Sequence, residues 1–385
     1  MTLPKFHWFL PTGSDGRTVT TGMRGTHGPG HDTTTATGGP GADRHRSPDL
    51  RYLTQIALAA EHTGFDAILT PAGTFNEDPW ITCAALAQAT ERLKFLVALR
   101  PDSISPVLAA QMAATFQRQS GGRLLLNVVT GGDPAEQARF GDHLDKAARY
   151  ARTDEWLTVL RGTWAAEPFD HTGPHYDVTG ATVFSPPILP PGVYFGGSSA
   201  EAAPVAARHA DVYLTWGEPP SDVAAKLDRI RALATDAGRT PPRFGIRFHV
   251  VARDTTKQAW KAAERLLTGI DPAHVARVQT TLAGTQSTGQ ARQNGLHAAF
   301  RASGRTSDLE VWPNVWAGVG LLRGGAGTAL VGSHREVADR ISEYAALGIE
   351  EFILSGFPHL EETYEVGEGV LPLLGTGTSR VGVGR

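Results

Sequence analysis

Residues 243–253, RFGIRFHVVAR, carry an alternation that fixes a strand and the two environments on either side of it. A period of two puts Gly245, Arg247 and His249 on one face and Ile246, Phe248 and Val250 on the other. The apolar face suits a layer of helices, which leaves a guanidinium and an imidazole pointing into whatever the sheet encloses. A buried guanidinium is costly without an anion. From the residues alone two sources of that anion stay open. One is an internal carboxylate, with the histidine a hydrogen-bonded core residue; the other is an external ligand. Few acidic residues stand at the ends of the other candidate strands, which favours the ligand.

Working outward, seven further short runs rich in β-branched and aromatic residues read as strands: 5–9, 66–69, 94–99, 124–129, 193–195, 212–214 and 351–354. Helical periodicity fills the spaces between them. Ser47-Pro48 and Asp78-Pro79 open two of these helices, and 221–237, 255–267, 333–346 and 361–373 supply others. Eight βα alternations predict an α/β fold, a (β/α)8 TIM barrel with insertions, because each crossover must return the chain to the same end of the sheet. A doubly wound open sheet is the structural competitor. The 385 residues are read as one domain, 1–385, with three interruptions. These are a Gly/Thr/His-rich polar loop at 12–46, a hairpin (FDHTGPHYDV) and Pro-rich return within 168–192, and a long lid insertion at 269–332.

The composition narrows the function classes. A hydrophobic content of 41 % supports a large core, and a net charge of -3 gives no general attraction to nucleic acid or to an acidic membrane surface. The lone Cys83 excludes an internal disulfide, and no run is long enough to span a bilayer, so a cytoplasmic protein is expected. The start, MTLPKFHWFLPTG, reads as a first strand rather than a leader. His27, His31 and His45 lack a metal-ligand spacing, and no metal site is expected.

In a barrel, chemistry gathers where strands end. Those positions hold TPAGTFNEDPW (70–80), Arg100-Pro101, Asn127 with VVTGGDP, GGSS (196–199), Thr215-Trp216-Gly217 and SGFPH (355–359). Glycines in GGSS would let a phosphate reach the backbone, while the hydroxyls and the free N–H groups of a helix start accept its charge. A plain strand-to-helix turn with an N-cap serine looks the same. Tyr150, early in the helix ahead of Trp156, either adds a phenolic donor or only packs.

Taken together, FHWFLPTG, RLKFLVALRP, NVVTGGDP, VYFGGSS, YLTWGEPP, RFGIRFHVVAR, WAGVGLLRGGAGTALVG and SGFPHLEE resemble the FMN-dependent alkanesulfonate monooxygenases, a branch of the bacterial-luciferase-like flavin monooxygenases. The likeness runs from about Lys5 to Leu374. It implies a luciferase-like TIM barrel that takes reduced FMN from a separate NAD(P)H-dependent flavin reductase and uses O2 to cleave a C–S bond, giving sulfite and an aldehyde. It further implies that Ser198, Ser199 and Tyr150 hold the FMN phosphate, with Thr70, Asn127 and Thr130 near the ring and ribityl chain. Arg247, His249, Arg323 and His359 would be catalytic, with Trp216, Asn76 and Phe357 lining the substrate. Homodimers or homotetramers are usual in such a family.

Three positions depart from the family pattern. Asn76 replaces a cysteine, Phe357 a tyrosine, and Gly13 a histidine. With the long polar insertion, they suit a larger hydroxylated substrate such as a sulfonated sugar. The glycine-rich run 314–332 is expected to be a lid with Arg323 as its latch. Rival readings are a flavin monooxygenase of a sulfone or Baeyer-Villiger substrate, a deazaflavin-dependent oxidoreductase, and a flavin-binding protein without turnover.

Overall fold

A computed structural model describes residues 3–19 and 46–375. Eight parallel strands close into a barrel: β1 (Lys5–Phe9), β2 (Ala67–Thr70), β3 (Lys94–Leu99), β4 (Leu124–Val128), β5 (Val193–Gly196), β6 (Val212–Trp216), β7 (Arg243–Arg253) and β8 (Ile349–Ser355). Each pairs with its successor, and β8 returns to β1 from Lys5↔Glu351 to Trp8↔Leu354. That closure settles the barrel against the open sheet. The strands are the eight expected from the sequence.

Alternation sets the layers. Ile246, Phe248 and Val250 pack with Phe6, Trp8, Ile68, Phe352 and Leu354 against the helices, while Phe9, Leu69, Leu96, Tyr194, Val212 and Ile353 fill the interior. Helix starts are fixed by side-chain caps: Asp49 accepts from the Tyr52 amide, Asp78 from Ile81, Ser105 from Leu108 and Asp145 from Ala148. The first helix therefore begins at Leu50, two residues beyond the expected Ser47-Pro48 start, because the carboxylate at Asp49 is the better cap. The hairpin forms as Phe169–Thr172 against Asp177–Ala181. Most of the 12–46 insertion lies outside the described residues, as do His27, His31 and His45. Among the described residues no helix is long and apolar enough to cross a membrane, and no cluster of His, Cys, Asp or Glu could hold a metal.

The insertion after β7 is organised differently from a loose lid. It contains helices Pro272–Ala283, Thr288–Gly295 and Ala298–Ser303, then strands Val315–Trp316 and Ala329–Ser333. Strand Ala329–Ser333 runs parallel to the outer half of β7, from Ala329↔His249 to Ser333↔Arg253. β6 occupies the earlier half, ending at Trp216↔Arg247. β7 thus outgrows the barrel and carries a short extension of the same sheet. The glycines of 314–332 serve close packing here. A Cβ on Gly327 would sit 2.7 Å from the Gly320 Cα, and one on Gly318 would run into the Trp316 ring. Asn314 and residues 323–325 of this run are half-buried; 315–322 and 326–332 are buried.

At the opposite, N-terminal end a charged plug closes the barrel floor. Glu351, wholly buried, accepts from Tyr194 Oη (2.7 Å), is paired with His7 Nε2 (2.9 Å) and binds Arg243. Internal ion pairs therefore exist on β7, at Arg243 with Glu351 and at Arg253 with Glu362. Burial pushes the Glu351 carboxyl up; the hydrogen bond and charge of His7, with Arg243 and Tyr194, outweigh it and hold it at about 2. A carboxyl depressed on folding contributes stability above its ordinary value of 4.5 and loses it as pH falls toward about 2. Glu351→Gln should cost about 3 kcal/mol at neutral pH and flatten this acid dependence. Urea unfolding at several pH values checks both; an unchanged acid slope in the variant would acquit the carboxylate.

Candidate active site

A cavity of about 300 Å³ opens at the C-terminal rim of the barrel. Every barrel strand or the loop after it contributes: Phe9, Asn76, Arg100, Asn127, Ser198, Trp216, Arg247 and Ile353 among others. The insertion supplies the remaining wall through Thr285–Gln290 and Arg323–Ala326. Six cationic residues line it (Arg100, Lys146, Arg149, Lys226, Arg247, Arg323) against three acidic ones (Asp133, Glu136, Glu218). In a chain of net charge -3, this is a local reversal of sign. Low-dielectric walls focus such a field on an anionic occupant.

Arg247 and Arg323 come from elements 76 positions apart in the chain yet share one aromatic surface. The Arg247 guanidinium carbon lies 4.0 Å from the centre of the Phe9 ring and that of Arg323 5.4 Å from it. Arg323 also sits 5.8 Å from the Phe357 ring. Strand pairing sets Arg247 beside Trp216 and Ile353. Arg323 is set by its loop, whose amides are pinned to one helix: Gly325 N donates to Gln290 Oε1 (2.9 Å) and Gly327 N to Gln293 Oε1 (3.0 Å). Gln293 Nε2 in turn donates to the Gly217 carbonyl (2.9 Å), and Arg292 pairs with Glu218. The loop is thereby stitched to the end of β6.

The two histidines stand behind this surface. Neither is on the cavity wall. His249 Nε2 is 3.1 Å from the Ala326 carbonyl and its Nδ1 2.9 Å from Ser355 Oγ, while its ring stacks on Phe357 at 5.3 Å. Burial, then the charges of Arg247 and Arg323, push its pKa far below the ordinary imidazole value. It is a neutral ring with both nitrogens engaged, and it buttresses the Arg323 loop. His359 has a different partner. Its Nδ1 donates to Asp15 Oδ1 (2.8 Å) and its backbone N–H to Asp15 Oδ2 (2.8 Å), and Tyr52 Oη donates to the same carboxylate (2.5 Å). Burial lowers the His359 pKa most; Asp15 opposes this, and Arg323 and Arg247 add to it. Its Nε2, buried, has no hydrogen-bond partner among the described residues. The ring packs edge-on to Phe357 (5.2 Å) and near Phe9 (5.7 Å).

The other end of the cavity is the GGSS turn. Gly197 needs to be glycine: a Cβ there would stand 2.5 Å from the Ala202 Cβ and 3.4 Å from Tyr150 Oη. Ser199 Oγ accepts from the Ala202 amide (3.2 Å), so one serine caps the helix while Ser198 lines the cavity beside it. Arg149 and Lys146 flank the turn. Arg149 is held by the Leu144 carbonyl (2.6 Å) and Gln286 Oε1 (2.8 Å), and Lys146 by Glu201 (3.1 Å).

Of the residues singled out from the sequence, Asn76, Asn127, Thr130, Tyr150, Ser198, Ser199, Trp216, Arg247 and Arg323 line this one cavity. His249, Phe357 and His359 form the layer behind it. Thr70 is set apart. Alternation along β2 turns it outward, where its hydroxyl meets Cys83 Sγ at 3.0 Å in the helix layer. Two of the departures prove to be neighbours: a Cβ on Gly13 would lie 2.9 Å from the Phe75 carbonyl and 3.4 Å from Asn76 Oδ1. Asp15, Tyr52 and Phe9 were missed by sequence reasoning. Asp15 and His359 are 344 positions apart, and no local pattern signals that they meet.

A family model described as luciferase-like monooxygenase matches residues 5–351. The chain belongs to the luciferase-like monooxygenase family. This luciferase-like barrel is similar to solved structures of low sequence identity that share its fold over almost its whole length. Riboflavin lyase, solved with modified FMN and riboflavin, is 21 % identical with a TM-score of 0.76, covering 98 % of this chain and 93 % of that one. EDTA monooxygenase from Chelativorans sp. BNC1 is 19 % identical (TM-score 0.71; 97 % and 94 % covered). The oxygenating constituent of 3,6-diketocamphane monooxygenase from Pseudomonas putida, in complex with FMN, is 18 % identical (TM-score 0.66; 96 % and 99 % covered).

The Asp15–His359 pair fixes the neutral tautomer that carries its proton on Nδ1 and presents a lone pair at Nε2. Asp15→Asn removes the charge that supports the imidazolium. The His359 titration midpoint should move further down and the single tautomer should give way to a mixture, read from histidine ring 15N shifts. A His359 spectrum identical in both proteins would dissolve the pair.

Proposed function

We propose that this luciferase-like monooxygenase uses reduced FMN, delivered by a separate NAD(P)H-dependent flavin reductase, and O2 to cleave the C–S bond of an organosulfonate. The products are sulfite, an aldehyde, oxidised FMN and water, so one oxygen atom enters the aldehyde and the other leaves as water. The observation that carries this reading is the sign reversal in the cavity, with cations at two separate stations. One station, the GGSS turn with Tyr150, Arg149 and Lys146, suits a terminal phosphate; the other, Arg247 with Arg323, suits a compact tetrahedral anion.

The residues present fit FMN. Gly197 keeps the turn tight where a Cβ would strike Ala202, and Ser198, Ser199, Tyr150, Arg149 and Lys146 line the same end of the cavity. Ser198, Ser199 and Tyr150 would hold the phosphate, and Asn127 and Thr130 the ribityl chain and ring edge. Bound reduced flavin supplies the electrons that activate O2. Arg247 and Arg323 orient the sulfonate and neutralise the sulfite as it leaves. The lone pair of His359 Nε2 can accept a proton if Phe9 or Phe357 gives way, and Asp15 keeps that lone pair aimed. The insertion's helix Thr288–Gly295 excludes water from this volume by closing the wall beside Trp216.

A larger hydroxylated sulfonate, such as a sulfosugar, fits the polar substitution at Asn76 on the cavity wall. A second reading keeps the barrel and the flavin but exchanges the substrate for a carbonyl, sulfone or polycarboxylate; the solved relatives named for EDTA and diketocamphane favour it as the alternative. The two separate in one assay. Incubation with FMN, a flavin reductase, NADH and a panel of sulfonates should release sulfite, more from sulfonated sugars than from octanesulfonate. Oxygen uptake without sulfite on every sulfonate would transfer the case to the alternative.

Arg323→Lys should lower sulfite release at least about tenfold with little change in melting temperature, because lysine cannot reproduce the planar fork. Arg247→Gln should act mainly on the apparent KM for the sulfonate. Full activity of both variants would remove the second station from the mechanism.

A further inference from the structure

Two cations of the cavity belong to neither station, and one of them, Lys226, is engaged by Glu218 (2.8 Å) and Thr215 Oγ1 (2.6 Å), which leaves Arg100. Arg100 follows β3, four strands from β7, and so stands across the eight-stranded barrel from Arg247. Its side chain is 5 % exposed and lies on the cavity wall. The guanidinium stacks over Phe140 (5.2 Å), and its Nη2 is paired with Glu136 Oε2. Glu136 is itself fixed, since its other oxygen accepts from the Thr74 amide (3.1 Å) at a bend where a Cβ on Gly73 would lie 2.6 Å from that oxygen. The guanidinium is therefore held rigidly by one arm. Its Nε and Nη1 are buried and have no hydrogen-bond partner among the described residues.

Two buried donors of a charged group left unmatched are expensive. Asp102, two residues on, feels the charge of Arg100, but its buried oxygens make no hydrogen bond among the described residues, so Nε and Nη1 still call for acceptors on whatever fills the cavity. A flavin ring carries its acceptors on the pyrimidinedione (two carbonyl oxygens and N1) and, when oxidised, at the neighbouring N5, against a dimethylbenzene edge that has none. We propose that Arg100 binds the pyrimidinedione edge of the flavin, which fixes the direction of the ring in the barrel and favours the reduced, anionic form over the oxidised one. This rests on the flavin reading given above. The preference follows because two-electron reduction places negative charge on N1 and the adjoining carbonyl, and a hydrogen bond from an ionised donor strengthens when its acceptor becomes an anion. Glu136 cancels the long-range charge of Arg100, so the discrimination acts through these directional bonds and its size is moderate.

Anaerobic titration of the full chain with oxidised FMN and with dithionite-reduced FMN, followed by tryptophan fluorescence, tests the assignment. Arg100→Gln should weaken binding of reduced FMN about tenfold more than binding of oxidised FMN, equivalent to a midpoint potential of the bound flavin about 30 mV lower. Ser198→Ala, at the phosphate station, should weaken both forms alike. Arg100→Lys should recover part of the preference, and it carries the comparison if Arg100→Gln does not fold. An unchanged ratio of the two affinities in the Arg100 variants overturns the proposal; so does an effect confined to binding of a sulfonate added to the oxidised complex, which would assign Arg100 to the substrate. Failure of the unaltered protein to bind either form of FMN overturns the flavin reading itself, and the proposal with it.

Discussion

β7 changes its neighbour part-way along its length, and the cavity end of the molecule depends on that. Over Arg243–Arg247 it is flanked by β6, and over His249–Arg253 by the strand Ala329–Ser333, with β8 alongside as far as His249. The handover falls at Arg247 and His249. One strand thus has to satisfy barrel closure below and carry the inserted strands above, which fixes the height at which the Arg323 loop crosses the rim. Without the parallel pairing at Ala329↔His249, nothing in the covalent chain would hold Arg323 within reach of the Phe9 ring.

Charge is sorted along the barrel axis. At the floor, Glu351 gathers Arg243, His7 and Tyr194 into one buried network whose charges serve each other. At the rim, cations outnumber acids, and the acids present are already engaged: Glu136 by Arg100 and Glu218 by Lys226 and Arg292. The apolar middle layer of Leu96, Val212 and Ile353 keeps the two apart. Low dielectric between them preserves the difference, so a cavity in a mildly acidic protein can still draw anions.

The inserted segment earns its glycines by packing. Gly320 and Gly327 let two backbones touch, and a short half-buried arc of the run bears Arg323. Control of that arc lies with Gln290, Gln293 and Arg292 on the helix Thr288–Gly295, which tie it to Gly217 and Glu218. Asn76 and Gly13 likewise form one local adjustment, since the loop carbonyl at Phe75 occupies the place where a side chain at position 13 would begin.

The strands, their order and the inward direction of Arg247 were legible in the sequence, because alternation and turn residues act over a few neighbours and a βα repeat leaves few ways to close. The strand-to-helix turn at GGSS was legible for the same reason. What tertiary structure decided are the contacts whose partners lie far apart in the chain. Asp15 with His359, Arg323 above Phe9, and Arg100 facing a cavity with two unmatched donors each depend on barrel closure bringing distant strands to one rim. Thr70 marks the limit from the other side: a polar residue at a strand end looked like a ligand, and one step of the pleat turned it toward Cys83. Local pattern fixes which way a side chain points along its own strand. Only closure of the sheet fixes what it meets.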